Sequence, residues 1–262
     1  LHLCDRRQRQ MCIRDRYWLI GVILQNTLKT EIMKIAIIVA MDKEFAQLAK
    51  LLDHATTTEH HGRTVVTGEM GRHTLILQQS GIGKVNAAIC TVEMINRYKP
   101  ELVISTGVAG GADPTLDVQN VVVGTEYAYH DVYCGDDNDY GQVQGMPTRY
   151  SAAACVAEAI DRTMAESEVT LRKGLIVSGD WFVNSREKMR EIMGHFPEAQ
   201  AVDMESCGIA QTCHIYGVPF VSMRIISDVP LRDDKAAMYV DFWDRLADNS
   251  FGVTRRFLDN IR

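Results

Sequence analysis

From residue 33 onward the chain alternates short apolar runs with segments of helical period, and nothing else in it limits the fold so tightly. KIAIIVA (34–40), HTLILQQ (73–79), ELVIST (101–106), NVVVGTEYAY (120–129), RKGLIVS (172–178), the stretch 199–202 and PFVSMRIIS (219–227) read as strands. Several are continuous in apolar residues, which suits strands covered on both faces. RTVVTGEM (63–70) pairs with 73–79 as a hairpin around Gly71. Helical spacing covers 43–52, 83–98 and 151–166, and a last helix is expected from about Ala236 to the C-terminus. Val85, Ala88, Ile89, Val92 and Ile95 share one face of the second helix, and Pro100 stops it. Ser151 is placed to cap the third. The pattern predicts an α/β fold: a three-layer α/β/α sandwich around a central twisted mixed, largely parallel sheet.

In such sheets the ligand crevice lies beyond the carboxyl ends of the strands. Glycine and polar residues cluster there: Met41 to Glu44, TGVAGG (106–111), GDWFVN (179–184), DMES (203–206) and SDV (227–229). Five segments distant in sequence thus converge on one rim. Taken singly, each has a bland reading. Glu44 suits the first turn of a helix. Asp228 suits a turn after a strand. Asp203 suits the start of the next helix, whereas Glu205 reads as already inside it. TGVAGG reads as a glycine turn whose N–H groups can approach a ligand, but it is neither a dinucleotide fingerprint nor a P-loop. Trp181 and Phe182 read as core, or as a platform for a planar base. His54, His60 and His61 suggest a metal, but they read as a polar loop without a carboxylate or cysteine partner set.

Taken together the acids have a chemical meaning. Cleaving a glycosidic bond needs one group to stabilise or protonate the leaving group and another to activate water. Glu44, Glu205 and Asp228 suffice for an oxocarbenium-like transition state.

The sequence has 262 residues, 46% of them hydrophobic, enough for one large core. Residues 1–32 do not share the pattern, start without Met and contain MCIRDR, so they read as a non-native leader outside the fold. The domain is expected over 33–262. The leader holds six Lys/Arg and three Asp/Glu, so the net charge of -6 becomes 22 basic against 31 acidic residues, or -9, without it. No basic stripe suits nucleic acid, and no run suits a membrane span. The seven cysteines form no CxxC pair and read as reduced thiols of a cytoplasmic protein.

MKIAIIVAMDKE, SGIGKVNAA, STGVAGG, GLIVSGDWFVNS, AVDMES and MRIISDV, in that order, resemble the 5′-methylthioadenosine/S-adenosylhomocysteine nucleosidase family of the nucleoside phosphorylase superfamily. The resemblance implies a homodimer that hydrolyses adenine from these nucleosides without metal or cofactor. It implies that Glu44 is the base that activates water and that Asp228 is the acid that protonates adenine N7. Glu205 would hold the ribose hydroxyls, with Met204 against the sugar. Phe182 would stack on adenine and the Val183 backbone would read the base edge. Met41 and Ile82 would line the ribose and 5′-thio group, and Arg224 would organise the water and carboxylates. Val108, Ala109 and Gly110 would lie along the substrate, Val108 replacing a serine of some members. Tyr239 would add to the pocket. Three readings compete: a phosphorylase on the same fold, a hydrolase of 6-amino-6-deoxyfutalosine, and a nucleoside-binding protein without catalysis. The first-strand rim AMDKE places Glu44 where phosphate charge is unwelcome. Binding alone would not require all three acids.

Overall fold

Ile35 to Val39 are buried without a break, and their side chains divide between two cores. Ile35, Ile37 and Val39 face one hydrophobic cluster, and Ala36 and Ile38 face the other. This is the period-2 alternation of a strand covered on both sides. In the computed structural model, which describes residues 32–232, 242 and 248–261, the strand is β1 (Lys34–Val39). It lies between β4 (His73–Gln79) and β5 (Leu102–Gly111), parallel to both. One core lies beneath α1 (Asp42–Ala49), α3 (Ala157–Glu166) and α6 (Asp248–Asn260). The other lies beneath α2 (Lys84–Tyr98) and α5 (Ser206–Tyr216). The three-layer α/β/α architecture is the one expected. The leader, Tyr239 and the start of the last helix near Ala236 lie outside the described residues.

The sheet runs from an open edge into a closed ring. β2 (Asp53–His60) and β3 (Arg63–Met70) extend it antiparallel beyond β4. On the other side β5, β10 (Phe220–Asp228), β6 (Val121–Tyr129), β8 (Leu171–Ser178) and β9 (Ala199–Asp203) pair in succession, and β9 pairs back to β5. A short β7 (Tyr150–Ser151) adds to β6. α4 (Arg186–His195) packs Met189 and Ile192 into a third cluster against β8 and β9.

Closure depends on β5. Its first residues, to Ser105, pair with β1, while Gly110 and Gly111 pair with β9. Gly107 lies at the change of partner with φ 147, in the region that favours glycine. A Cβ there would sit 2.4 Å from Glu44 Oε1. TGVAGG is therefore strand rather than turn.

Three further expectations need correction. His54 and His60 belong to the edge strand β2, not to a loop. DHATTTEH has no apolar period and is almost wholly exposed, so only its ladder with β3 and its threonines mark it as a strand. Ser151 does not cap a helix: it ends β7, and α3 starts at Ala157 after a 3₁₀ turn. In α2 the inward face is Ala87, Cys90, Thr91, Met94 and Ile95, whereas Val85 and Ile89 point outward at 67% and 45% exposure. The helix is apolar on two sides, and periodicity alone cannot say which one the core takes.

Candidate active site

At the carboxyl ends of β1, β5, β9 and β10 the structure holds a cavity of about 130 Å³. Its walls include Met41, Glu44, Ile82, Val108, Ala109, Gly110, Phe182, Val183, Met204, Glu205 and Asp228. These come from segments that the sequence pattern brought to one rim. Arg224 is not among the lining residues. It is fully buried behind the wall, and its position in β10 points it at the acids.

Glu44 is held by the backbone. Its Oε2 accepts from the N–H groups of Ala40 (3.0 Å) and Met41 (2.9 Å), and its Oε1 accepts from Val108 N–H (2.9 Å). The Met41 bond ties the carboxylate to the start of its own helix. The Val108 bond ties it to β5. Because the backbone of Val108 makes this contact, the side chain there is free to be Val or Ser. Burial raises the Glu44 pKa above the ordinary carboxylate value, while Arg224 and the three amides pull it down.

Glu205 stands at the N-cap of α5, outside the helix and not within it. Its Oε1 accepts from Gly83 N–H at 2.9 Å, and its Oε2 lies 3.7 Å from Arg224 Nη2. The first amides of α5 are served instead by Asp203, whose Oδ1 accepts from Glu205 and Ser206 N–H at 3.3 and 3.2 Å. Asp203 also takes Arg224 Nε on Oδ2 at 2.6 Å and Ser178 Oγ on Oδ1 at 2.5 Å. Arg224 Nη2 donates to Ser105 and Ser206 Oγ at 2.9 and 3.1 Å.

One buried cation therefore faces three buried acids, Asp203, Glu205 and Glu44. It does not neutralise all of them. Burial pushes the Glu205 carboxyl up to about 7, with Arg224 lowering it and Asp203 raising it further. In the folded chain Glu205 thus holds its proton more tightly than in the unfolded one, where its ordinary value is 4.5. The stability this contributes is full below about 4.5 and is lost as pH rises through about 7. Glu205→Gln mimics the protonated group. Its urea midpoint relative to wild type is expected to rise between pH 5 and pH 8, and a difference that stays flat or falls would refute the assignment.

Asp228 ends β10 beside Gly110 of β5. Ser227 Oγ donates to its Oδ1 at 2.8 Å, and lies 3.3 Å from the Ala109 carbonyl oxygen. Ser227 was not singled out from the sequence, although SDV at the rim contained it. The serines around Arg224 gave no signal at all, since isolated Ser residues on strands and helix starts are ordinary. Trp181 and Phe182 stand at the cavity mouth, 56% and 59% exposed, and Val183 behind them is buried.

Residues 34–259 match the family model described as the phosphorylase superfamily. The 5′-methylthioadenosine/S-adenosylhomocysteine nucleosidase of Bacillus thuringiensis (strain Al Hakam) is 38% identical over 232 residues, which is 88% of this chain and all of that protein. The structure of the S-adenosylhomocysteine nucleosidase from Streptococcus pyogenes in complex with 5-methylthiotubericidin is similar at TM-score 0.83 and 32% identity, over 90% of this chain and 100% of that one. The nucleosidase of Colwellia psychrerythraea 34H in complex with adenine is similar at TM-score 0.82 and 32% identity, over 89% and 98% of the two chains.

Proposed function

The chain belongs to the phosphorylase superfamily, and on that premise we propose that it is a purine nucleosidase. It hydrolyses the N-glycosidic bond of 5′-methylthioadenosine and S-adenosylhomocysteine, releasing adenine and the 5′-thioribose product. The observation that carries hydrolysis over phosphorolysis is the charge of the cavity wall. Among the described residues its charged lining is Glu44, Asp203, Glu205 and Asp228, all acids. The buried cation behind them, Arg224, is already engaged by Asp203. A phosphate nucleophile needs converging donors and positive charge, and this wall repels it. Water is not repelled.

The residues divide the work as follows. Glu44, made a stronger base by the burial that raises its pKa, takes a proton from the attacking water. Asp228, steadied by Ser227, delivers a proton to N7 of the base, so that a neutral purine leaves. Glu205 accepts from the ribose hydroxyls. Its burial strengthens each such bond, and negative charge there favours the oxocarbenium-like sugar. Met41, Ile82 and Met204 give the ribose and 5′-thio group an apolar wall. Phe182 stacks on adenine, and the backbone of Val183 reads its edge. Arg224 touches no substrate in this scheme: it positions the acids.

The partner is a second copy of the chain. Val85 and Ile89 lie one turn apart on the outward side of α2, 67% and 45% exposed, and Ile82, 52% exposed, precedes the helix. These exposed apolar side chains suit a homodimer face. No helix among the described residues is long and apolar enough to cross a membrane. Cys90, Cys134, Cys155, Cys207 and Cys213 are free thiols, which suits the cytoplasm.

The test is turnover of methylthioadenosine in phosphate-free buffer. Free adenine and methylthioribose are the expected products, with no acceleration on adding phosphate. A ribose 1-phosphate product, or a rate that vanishes without phosphate, would overturn the reading in favour of a phosphorylase.

A further inference from the structure

The far edge of the sheet carries a group of donors that the reaction does not use. His60 ends β2 and Arg63 opens β3, with His61 and Gly62 between them at φ 48 and 72. Two successive positive φ values make the tight hairpin turn that matches strand twist. Neighbouring residues on a strand point to opposite faces. Here the turn swings His61 back beside His60, and the two rings lie 4.0 Å apart between centroids. Glu93 reaches the same place from α2, with Oε1 3.0 Å from His61 Nδ1. The carboxylate that the sequence did not pair with these histidines is thus supplied by a helix 32 residues away.

We propose that His60, His61 and Glu93 bind a divalent transition-metal ion of the zinc or nickel type. One ligand atom from each residue falls within 4.8 Å of the others. Donors about 2 Å from a tetrahedral ion are about 3.3 Å apart, so modest side-chain rotation closes the set, leaving the fourth position to water. Two imidazoles and one carboxylate favour such ions over magnesium and calcium. Glu93 Oε2 is buried and makes no hydrogen bond among the described residues. Arg63 Nη1 lies 3.8 Å from it and orients the carboxylate from behind. Arg63 also offsets part of the charge of Glu93, which moderates the affinity. Cys90 is the nearest thiol along α2. It is buried and is not among the residues whose ligand atoms meet at this place. The ion would clip the β2–β3 hairpin to α2, the helix whose N-cap residue Gly83 donates to Glu205.

The experiment is calorimetric titration of the untagged, chelator-treated full chain with zinc chloride, alongside thermal unfolding. One saturable site is expected, with a rise in Tm that magnesium does not produce. His60→Ala and His61→Ala should each weaken binding by about tenfold or more. His54→Ala, an exposed histidine of the same strand outside the set, should leave it unchanged. Glu93→Gln keeps the side-chain shape and should weaken binding as well, which guards against a histidine variant that folds poorly. Absence of saturable binding, or parental affinity in the His60 and Glu93 variants, would overturn the proposal.

Discussion

Asp228→Asn should lower turnover of methylthioadenosine by about 10²–10⁴-fold, the usual worth of a general acid. Substrate binding should change far less. The amide keeps the shape of the carboxyl and still accepts from Ser227, but it has no acidic proton to give to N7. Without that proton the base must leave as an anion, a much poorer leaving group. The loss should therefore fall on kcat, with KM nearly unchanged, because protonation is realised only in the transition state. Rapid-mixing assays of adenine release, set beside equilibrium binding of a non-hydrolysable analogue, separate the two. Near-normal turnover in the variant would remove Asp228 from the reaction.

Arg224→Met should cost about 3–5 kcal/mol of stability, the range for breaking a buried ion pair by removing one partner. Against a typical total of about 5–15 kcal/mol this is a large fraction. Methionine fills much of the volume, so the loss comes from charge. Asp203 loses its 2.6 Å partner, and Glu44 and Glu205 lose the cation that lowers their pKa values. Glu44 and Glu205 then hold protons more readily, so the variant should recover part of its stability as pH falls. Urea unfolding at several pH values reads both effects. Arg224→Lys keeps the charge but cannot satisfy Asp203, Ser105 and Ser206 from one planar fork, and should fall between the two. A loss under about 1 kcal/mol in Arg224→Met would mean that the acids do not depend on this residue.

Much of this arrangement can be read from the chain before any coordinates. Several strands of the parallel part are apolar runs, and polar and glycine residues cluster at their carboxyl ends. That is why Glu44, Glu205 and Asp228 stand out, and why the structure brings them to one cavity. What escapes has physical reasons. β2 is held by hydrogen bonds to β3 and buries almost nothing, so it has no hydrophobic signature. α2 has two apolar sides, and only the outward position of Val85 and Ile89 reveals which is which. Ser105, Ser178 and Ser206 meet Arg224 and Asp203 through contacts that span up to 119 residues, and no local pattern encodes them. The histidines at the hairpin tip became interpretable only when a helix brought Glu93 to them.

The partner exchange in β5 has a consequence for how the reaction tolerates motion. Val108 N–H fixes the carboxylate proposed to activate water, and the carbonyl of the next residue, Ala109, meets the serine that steadies the acid. The two-residue segment Val108–Ala109 therefore acts as a ruler between the two ends of the proton path. Its length is set by covalent bonds and by the ladders on either side, not by side-chain rotamers. In the proposed scheme the 5′ group lies against Met41, Ile82 and Met204, outside this segment, so nucleosides with different 5′ tails leave the spacing inside unchanged. Substrate breadth and proton transfer are thereby assigned to different parts of the chain, and a change in one need not disturb the other.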